Sequence, residues 1–245
     1  MRLRPTLLEA YVRVERRLTP ELRYSQESYQ EVLEGCLRPD TVWLDVGCGR
    51  HLLSPWKGRV ERDLVHGVRR VVGMDLDREA LAEHRSIDLR LAGDLTSLPF
   101  PDGSFDLVTA NMVVEHLPHP DQAFREVARV LRPGGRLVFH TPNAHSYLIR
   151  FGRWMPDLAK DGLIRVLEGR KSEDVFKTHY RANTPDAVRQ VAASAGLNTR
   201  EVLLVPTNAS FAMVLPLAVI ELLWIRMTMT ERLGSHRTNL IAVLD

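Results

Sequence analysis

The sequence predicts a doubly wound α/β fold on a mostly parallel sheet, and three observations carry the prediction. Apolar, β-branched runs alternate with helical periodicity and glycine punctuation across roughly 100 residues from Val42 onward, the signature of repeated strand–helix units. The first run, Val42-Trp-Leu-Asp-Val46, passes directly into Gly47-Cys48-Gly49, as a buried parallel strand does where it ends in a tight turn. Acids stand at the carboxyl ends of successive strands, Asp45, Asp75 and Asp94, where open α/β sheets gather the groups that meet a ligand.

A chain of 245 residues can bury one good core, and 44% hydrophobic with 26% charged residues is ordinary for a soluble globular protein. Lys+Arg 33 against Asp+Glu 31 leaves the chain near neutral, which argues against broad nucleic-acid binding. Cys36 and Cys48 are too few for a disulfide scaffold, and neither they nor the histidines have metal-ligand spacing. Reduced, cytoplasmic conditions and no metal are therefore expected. Arg2, Arg4 and Arg13 are not joined by an apolar core of signal-peptide length, which argues against export. The chain reads as one domain, residues 1–245, in four parts: helices over 1–38, a sheet core over 40–142, an insertion over 143–182 and the rest of the sheet over 183–245.

In the helical start, Leu7, Leu8, Tyr11 and Val14 share one face, and Tyr29, Val32, Leu33 and Cys36 another. This reads as a helical pair packed on the sheet edge, or as a cap with Tyr24 or Tyr29 pointing into the site. After the first strand, the Gly-x-Gly turn lacks the third glycine of a dinucleotide fingerprint; that position is Leu52. Arg70-Val-Val-Gly-Met-Asp75 is the second strand, and Asp75 is placed to accept from two vicinal ribose hydroxyls. Asp77, ahead of Ala80 and Leu81, is the helix N-cap. Ile87, Leu89 and Leu91 alternate as a third strand. Asp94 after it either accepts from an exocyclic amine or closes an Asx turn.

Ser104 to Asn111 is the fourth strand. A helix over Asp121 to Leu131 is stopped by Pro133-Gly134-Gly135, and Arg136 to Thr141 is the fifth strand. Residues 143–182 break the alternation with an aromatic and basic segment (Tyr147, Phe151, Trp154, Leu163, Ile164, Leu167), long enough for a lid. Thr184-Pro-Asp opens a helix closed by Gly196, and Arg200–Val205 and Thr238–Leu244 are strands. Phe211 to Met229 is apolar nearly all round, interrupted by Pro216, Glu221 and Arg226. Such a helix packs inside, pairs in a homodimer or lies on a bilayer surface.

Six ordered segments, Leu44-Asp-Val-Gly-Cys-Gly49, Val72-Gly-Met-Asp75, Gly93-Asp94 with Leu98-Pro-Phe100, Ser104-Phe-Asp-Leu107, Glu115-His-Leu117 and Val130-Leu-Arg-Pro-Gly-Gly-Arg-Leu137, together resemble the class I S-adenosylmethionine-dependent methyltransferases. The resemblance is greatest to the small-molecule branch with the ubiquinone/menaquinone-type and polysaccharide-cluster enzymes. It implies a Rossmann-like, seven-stranded sheet with an antiparallel last strand, S-adenosylmethionine as cofactor and a small-molecule acceptor. It further implies that Asp45, Gly47, Cys48 and Gly49 line the methionyl end, Asp75 and Leu76 the ribose, Asp94 and Leu95 the adenine. Asn111 and Met112 would flank the methionine amine through the main chain. Two departures mark this chain: His51 stands where a third glycine is common, and the span from Asp45 to Asp75 is longer than usual by about two helical turns.

An O-nucleophile near neutral pH calls for a base such as histidine. His116, just past the fourth strand, His145 and His179 are the candidates; a structural histidine bonded to a backbone carbonyl is the alternative at His116. O-methylation of a sugar, quinone-like or secondary-metabolite acceptor is the expected activity. A nicotinamide-dependent oxidoreductase and a non-catalytic cofactor-binding partner subunit are the competing readings.

Overall fold

The computed structural model describes residues 3–54, 57–154 and 177–245. The chain divides into two compact units. The sheet unit comprises Gln26–Pro142, Thr178–Leu203 and Leu240–Asp245, and the helical unit comprises Met1–Ser25, Asn143–Lys177 and Leu204–Asn239.

The sheet is built from β1 (Val42–Val46), β2 (Arg70–Asp75), β3 (Leu89–Ala92), β4 (Phe105–Asn111), β5 (Leu131–Pro142), β6 (Thr199–Val205) and β7 (Asn239–Leu244). Its order is β3-β2-β1-β4-β5-β7-β6, mostly parallel with β7 antiparallel. β1 pairs with β2 on one side, Asp45 opposite Gly73, and with β4 on the other, Asp45 opposite Thr109. Strand succession reverses direction between β1 and β4, the switch point at which doubly wound sheets open a crevice. Trp43, Leu44, Leu107, Val108 and Leu240 are fully buried, because the central strands are covered on both faces.

Crossover helices α3 (Gly58–His66), α4 (Arg78–Glu83), α5 (Pro120–Val130) and α7 (Pro185–Ser194) belong to this unit, as does α2 (Ser25–Glu34) from Gln26 onward. Asp77 caps α4 by accepting from the N–H groups of Glu79 and Ala80, as its sequence position predicts. Arg129 on α5 clamps the loop after β3: its guanidinium donates to Leu98 O, Phe100 O and Asp102 Oδ1 while paired with Glu126.

Three sequence expectations shift. β3 is an edge strand, so Leu89 is exposed and the alternation runs outward; Ile87 is buried just before the strand. α5 ends at Val130, and Pro133-Gly134-Gly135 lies inside β5, where the pairing with β4 carries a register shift, rather than ending the helix. Tyr29 is a core residue stacked on His140 at 5.6 Å between ring centres and does not aim into an open site, and the Tyr24 hydroxyl is bonded to Glu15.

In the helical unit, α1 (Leu3–Leu18) packs on α8 (Leu215–Thr228). Tyr11, Ala209, Ala218, Leu222 and Ile225 form its core. Glu221, buried in α8, accepts the Tyr147 hydroxyl and the N–H groups of Ser210 and Phe211, both at 2.8 Å. The opposite face of α8 is apolar and exposed: Leu217, Ile220 at 66%, Leu223 and Met227. α6 (Tyr147–Trp154) opens the expected lid, whose centre, with Leu163, Ile164 and Leu167, lies outside the described residues. No described helix is long and apolar enough to cross a membrane.

Candidate functional site

The predicted cofactor residues collect at the carboxyl ends of four adjacent strands. Gly47, Cys48 and Gly49 follow β1, Asp75 and Leu76 lie at the end of β2, Asp94 and Leu95 follow β3, and Asn111 and Met112 end β4. The turn hangs from β2, since the N–H groups of Gly47 and Cys48 both donate to Met74 O, at 2.7 and 3.2 Å. Gly47 has φ 69°, and a Cβ there would stand 2.2 Å from Val113 Cγ2. Gly49, φ 49°, faces open space. A chain without side chains at these two positions lets a ligand approach the backbone closely.

Asp75 holds the turn from below. Its Oδ2 accepts the Gly49 N–H at 2.8 Å and its Oδ1 the Asp77 N–H at 2.8 Å. Each oxygen keeps a further lone pair, and the residue is partly exposed, so acceptance from ribose hydroxyls is compatible with this geometry. Asp94 closes the Asx turn, Oδ1 accepting from Thr96 N at 2.8 Å. Leu76 is 65% exposed and Met112 39%, large apolar groups presented at the crevice. Met112 also has φ 59°, an uncommon left-handed backbone for a side-chain-bearing residue.

Asp45 is buried beneath the turn. Trp43 Nε1 donates to Thr109 Oγ1 at 2.6 Å, and the Thr109 hydroxyl donates to Asp45 Oδ1 in a short contact. Burial, with the charges of Glu61 and Asp75 adding to it, pushes the Asp45 carboxyl up to about 8. The Cys48 thiol is likewise pushed well above its ordinary value by burial and by Asp45 and Asp75. The floor of the site is therefore acidic.

The first helix does not begin at the glycine turn: α3 starts only at Gly58, after bends that bury Leu52 and Leu53. Its first turn carries Glu61, buried, whose Oε2 accepts the Leu53 N–H at 3.1 Å and folds the lengthened connection inward. No helix N-terminus directly follows Gly49 to receive a carboxylate.

A polar seam runs beside this connection. Asn111 and Gln26 exchange amide hydrogen bonds at 3.2 and 3.1 Å, and Asn111 Nδ2 also donates to Leu52 O. His140 Nδ1 donates to Asn111 Oδ1 at 2.9 Å. Burial lowers the His140 pKa to about 3, so the ring is neutral with its proton on Nδ1, and it fixes the end of β4 rather than moving protons. One helical turn beyond Gln26, Gln30 Oε1 accepts from Lys57 Nζ at 2.5 Å.

Past β4, the short 3-10 turn Val114–His116 carries the first base candidate. His116 Nε2 lies 3.8 Å from Glu115 Oε1, with 30% of the imidazole side chain exposed and 4% of the carboxylate. Glu115 Oε2 accepts from Thr141 Oγ1 at 2.7 Å, and Thr141 Oγ1 accepts in turn from Asn183 Nδ2 at 2.7 Å. Burial raises the Glu115 pKa, opposed by the Thr141 bond and by His116. The main-chain N–H groups of His179 and Tyr180 both donate to Glu115 O, at 2.7 and 3.2 Å. Glu115 thus brings His116 and the His179 segment together. His145 belongs to the helical unit, is exposed, and its N–H closes an Asx turn on Asn143. Among the described residues no group of three or more His, Cys, Asp or Glu is arranged to hold a metal.

Sequence reading missed Gln26, Gln30, Lys57 and Glu61. The i, i+4 spacing of Gln26 and Gln30 was available as a signal, whereas Lys57 gave none, since only the fold of the lengthened connection places it.

A mixed sheet of order 3-2-1-4-5-7-6 with an antiparallel last strand, a glycine turn after β1 and an acid ending β2 defines the class I S-adenosylmethionine-dependent methyltransferase fold, and residues 44–139 match the methyltransferase-domain family. The family and fold imply S-adenosylmethionine as cofactor, and the open cradle at Gly49, the exposed apolar groups and the acidic floor fit an adenosyl sulfonium. The chain is 38% identical over 124 residues to a probable S-adenosylmethionine-dependent methyltransferase of Mycolicibacterium smegmatis, covering 49% of this chain and 44% of that protein. It is 34% identical over 116 residues to a ubiquinone biosynthesis O-methyltransferase of Ralstonia nicotianae, covering 43% and 46%. The chain spans less than half the length of these curated relatives. A crystal structure of an S-adenosylmethionine-dependent methyltransferase from Mesorhizobium loti superposes with a TM-score of 0.56 at 19% identity, over 87% of this chain and 95% of that one; this likeness is of fold.

Proposed function

We propose that this chain transfers the methyl group of S-adenosylmethionine to a hydroxyl of a small molecule, with His116 taking the hydroxyl proton. The observation that carries the reading is the partly exposed His116 ring set against the buried Glu115 carboxylate, immediately after the strand that ends the cofactor crevice. The bound cofactor supplies an electrophilic methyl on a sulfonium. The chain's own residues supply the rest. Asp75 accepts from the ribose; Asp94 and Leu95 edge the adenine; Gly47, Cys48 and Gly49 present main chain to the methionyl end. His116 accepts a proton through one ring nitrogen while Glu115, held by Thr141, favours the imidazolium that forms. His179, tied to Glu115 through its main chain, and His145 are the remaining base candidates. The name of the Ralstonia relative supports oxygen as the acceptor atom.

We assign acceptor recognition to residues 143–182, and a sugar, quinone-like or secondary-metabolite hydroxyl is the class to screen. The exposed apolar face within Phe211 to Met229 would serve a homodimer or a bilayer surface that presents an apolar acceptor. A cytoplasmic setting, with or without that membrane contact, completes the proposal.

The test is methyl transfer from isotopically labelled cofactor to a panel of hydroxylated acceptors. His116→Asn should lower kcat roughly 10²–10⁴-fold and leave affinity for S-adenosylhomocysteine unchanged. Full activity in that variant removes His116 from the role. Cofactor binding without turnover across the panel would instead favour a non-catalytic subunit.

A further inference from the structure

The acidic floor makes one end of the cofactor hard to bind. Its ammonium and sulfonium suit a site containing Asp45, Asp75 and Glu61, but the α-carboxylate finds no cation among them. A helix N-terminus directly after the glycine turn would make up for this with aligned N–H groups, and here that helix is displaced to Gly58. Arg50, the cation next to the turn, is drawn away to Glu83 at 2.7 Å. Lys57 is the remaining cation of this connection. It stands at the N-cap of α3 with no side-chain cap bond, and among the described residues its ammonium meets the neutral amide oxygen of Gln30 and no carboxylate. Gln30 lies one helical turn from Gln26, whose amide pair with Asn111 marks the end of β4. A run of contacts thus leads from Lys57 through Gln30 and α2 to Gln26, Asn111 and Leu52 O at the end of β4.

We propose that Lys57, steadied by Gln30, binds the α-carboxylate of the cofactor, replacing the helix terminus that the lengthened connection moved away. The proposal rests on the cofactor reading above. An ammonium carries three donors, so one can remain on Gln30 while the others turn to the ligand. Such a charge-assisted contact discriminates ligands with the carboxylate from ligands without it.

Calorimetric titration with three ligands tests this. S-adenosylhomocysteine has both ammonium and carboxylate, its decarboxylated analogue only the ammonium, and 5′-methylthioadenosine neither. Lys57→Met should weaken S-adenosylhomocysteine by about tenfold or more and leave the other two within about twofold, as loss of one charge-assisted bond predicts. Gln30→Leu should act in the same direction with smaller effect. Retained 5′-methylthioadenosine binding shows that a variant is folded. Equal losses for all three ligands, or no loss for any, would overturn the role of Lys57. Wild-type protein that binds none of the three would overturn the cofactor reading itself, and this proposal with it.

Discussion

Asp45 is a carboxyl group whose ionisation the fold opposes, and this has a measurable consequence for ligand binding. Its pKa, about 8 in the folded chain, lies far above the ordinary value of 3.8. Between those values the native state holds a proton that the unfolded state has lost, so this group's contribution to stability falls as pH rises from about 4 to about 8 and is flat above. A cationic ligand placed near it favours the carboxylate, so binding should release a proton at neutral pH. Affinity for S-adenosylmethionine should then rise with pH up to about 8. The heat of binding at pH 7 should also vary with the ionisation enthalpy of the buffer, and a buffer-independent heat would show that Asp45 does not titrate on binding. Asp45 was legible from its place at the end of a strand. Its proton was not, because Thr109 and Glu61 come to it from two separate stretches of chain.

Among the elements, the turn from β1 depends on Gly47 more than on any other single position. Alanine there combines a left-handed backbone with a Cβ driven into Val113, so Gly47→Ala should cost about 1–3 kcal/mol in denaturant unfolding. It should also weaken cofactor binding, as the turn and Val113 must move apart. Wild-type stability and affinity in this variant would contradict the close approach. The strands were readable because period-2 and continuous apolar runs report burial directly. The facing of β3 was not readable because alternation alone does not say that a strand lies at an edge. The start of α3 is not legible in the sequence for a related reason. Val60, Leu64 and Val65 give a weak helical stripe, and the element is set by Glu61 folding back on Leu53, a contact invisible without coordinates.

For the whole molecule, the division into a sheet unit and a helical unit was not readable, since the helical unit gathers three distant segments of sequence. The exposed face of α8 gives a prediction at this scale. Ile220→Asp with Leu223→Asp changes only exposed positions and should alter stability by no more than about 0.5 kcal/mol for each. If that face joins two copies, the double variant sediments as a monomer where the wild type does not; if it meets a bilayer, it loses co-flotation with anionic vesicles. Identical behaviour of variant and wild type in both assays would leave the face without either role. The two cysteines differ in a way that extends past chemistry at the site. Cys36 is partly exposed, whereas Cys48 is buried within the glycine turn with its thiol held protonated. An alkylating reagent should therefore label the first promptly and reach the second only when the turn opens. Cys48 is thus a built-in clock: its labelling rate would time the breathing of the crevice, and a ligand that closes the turn would slow it.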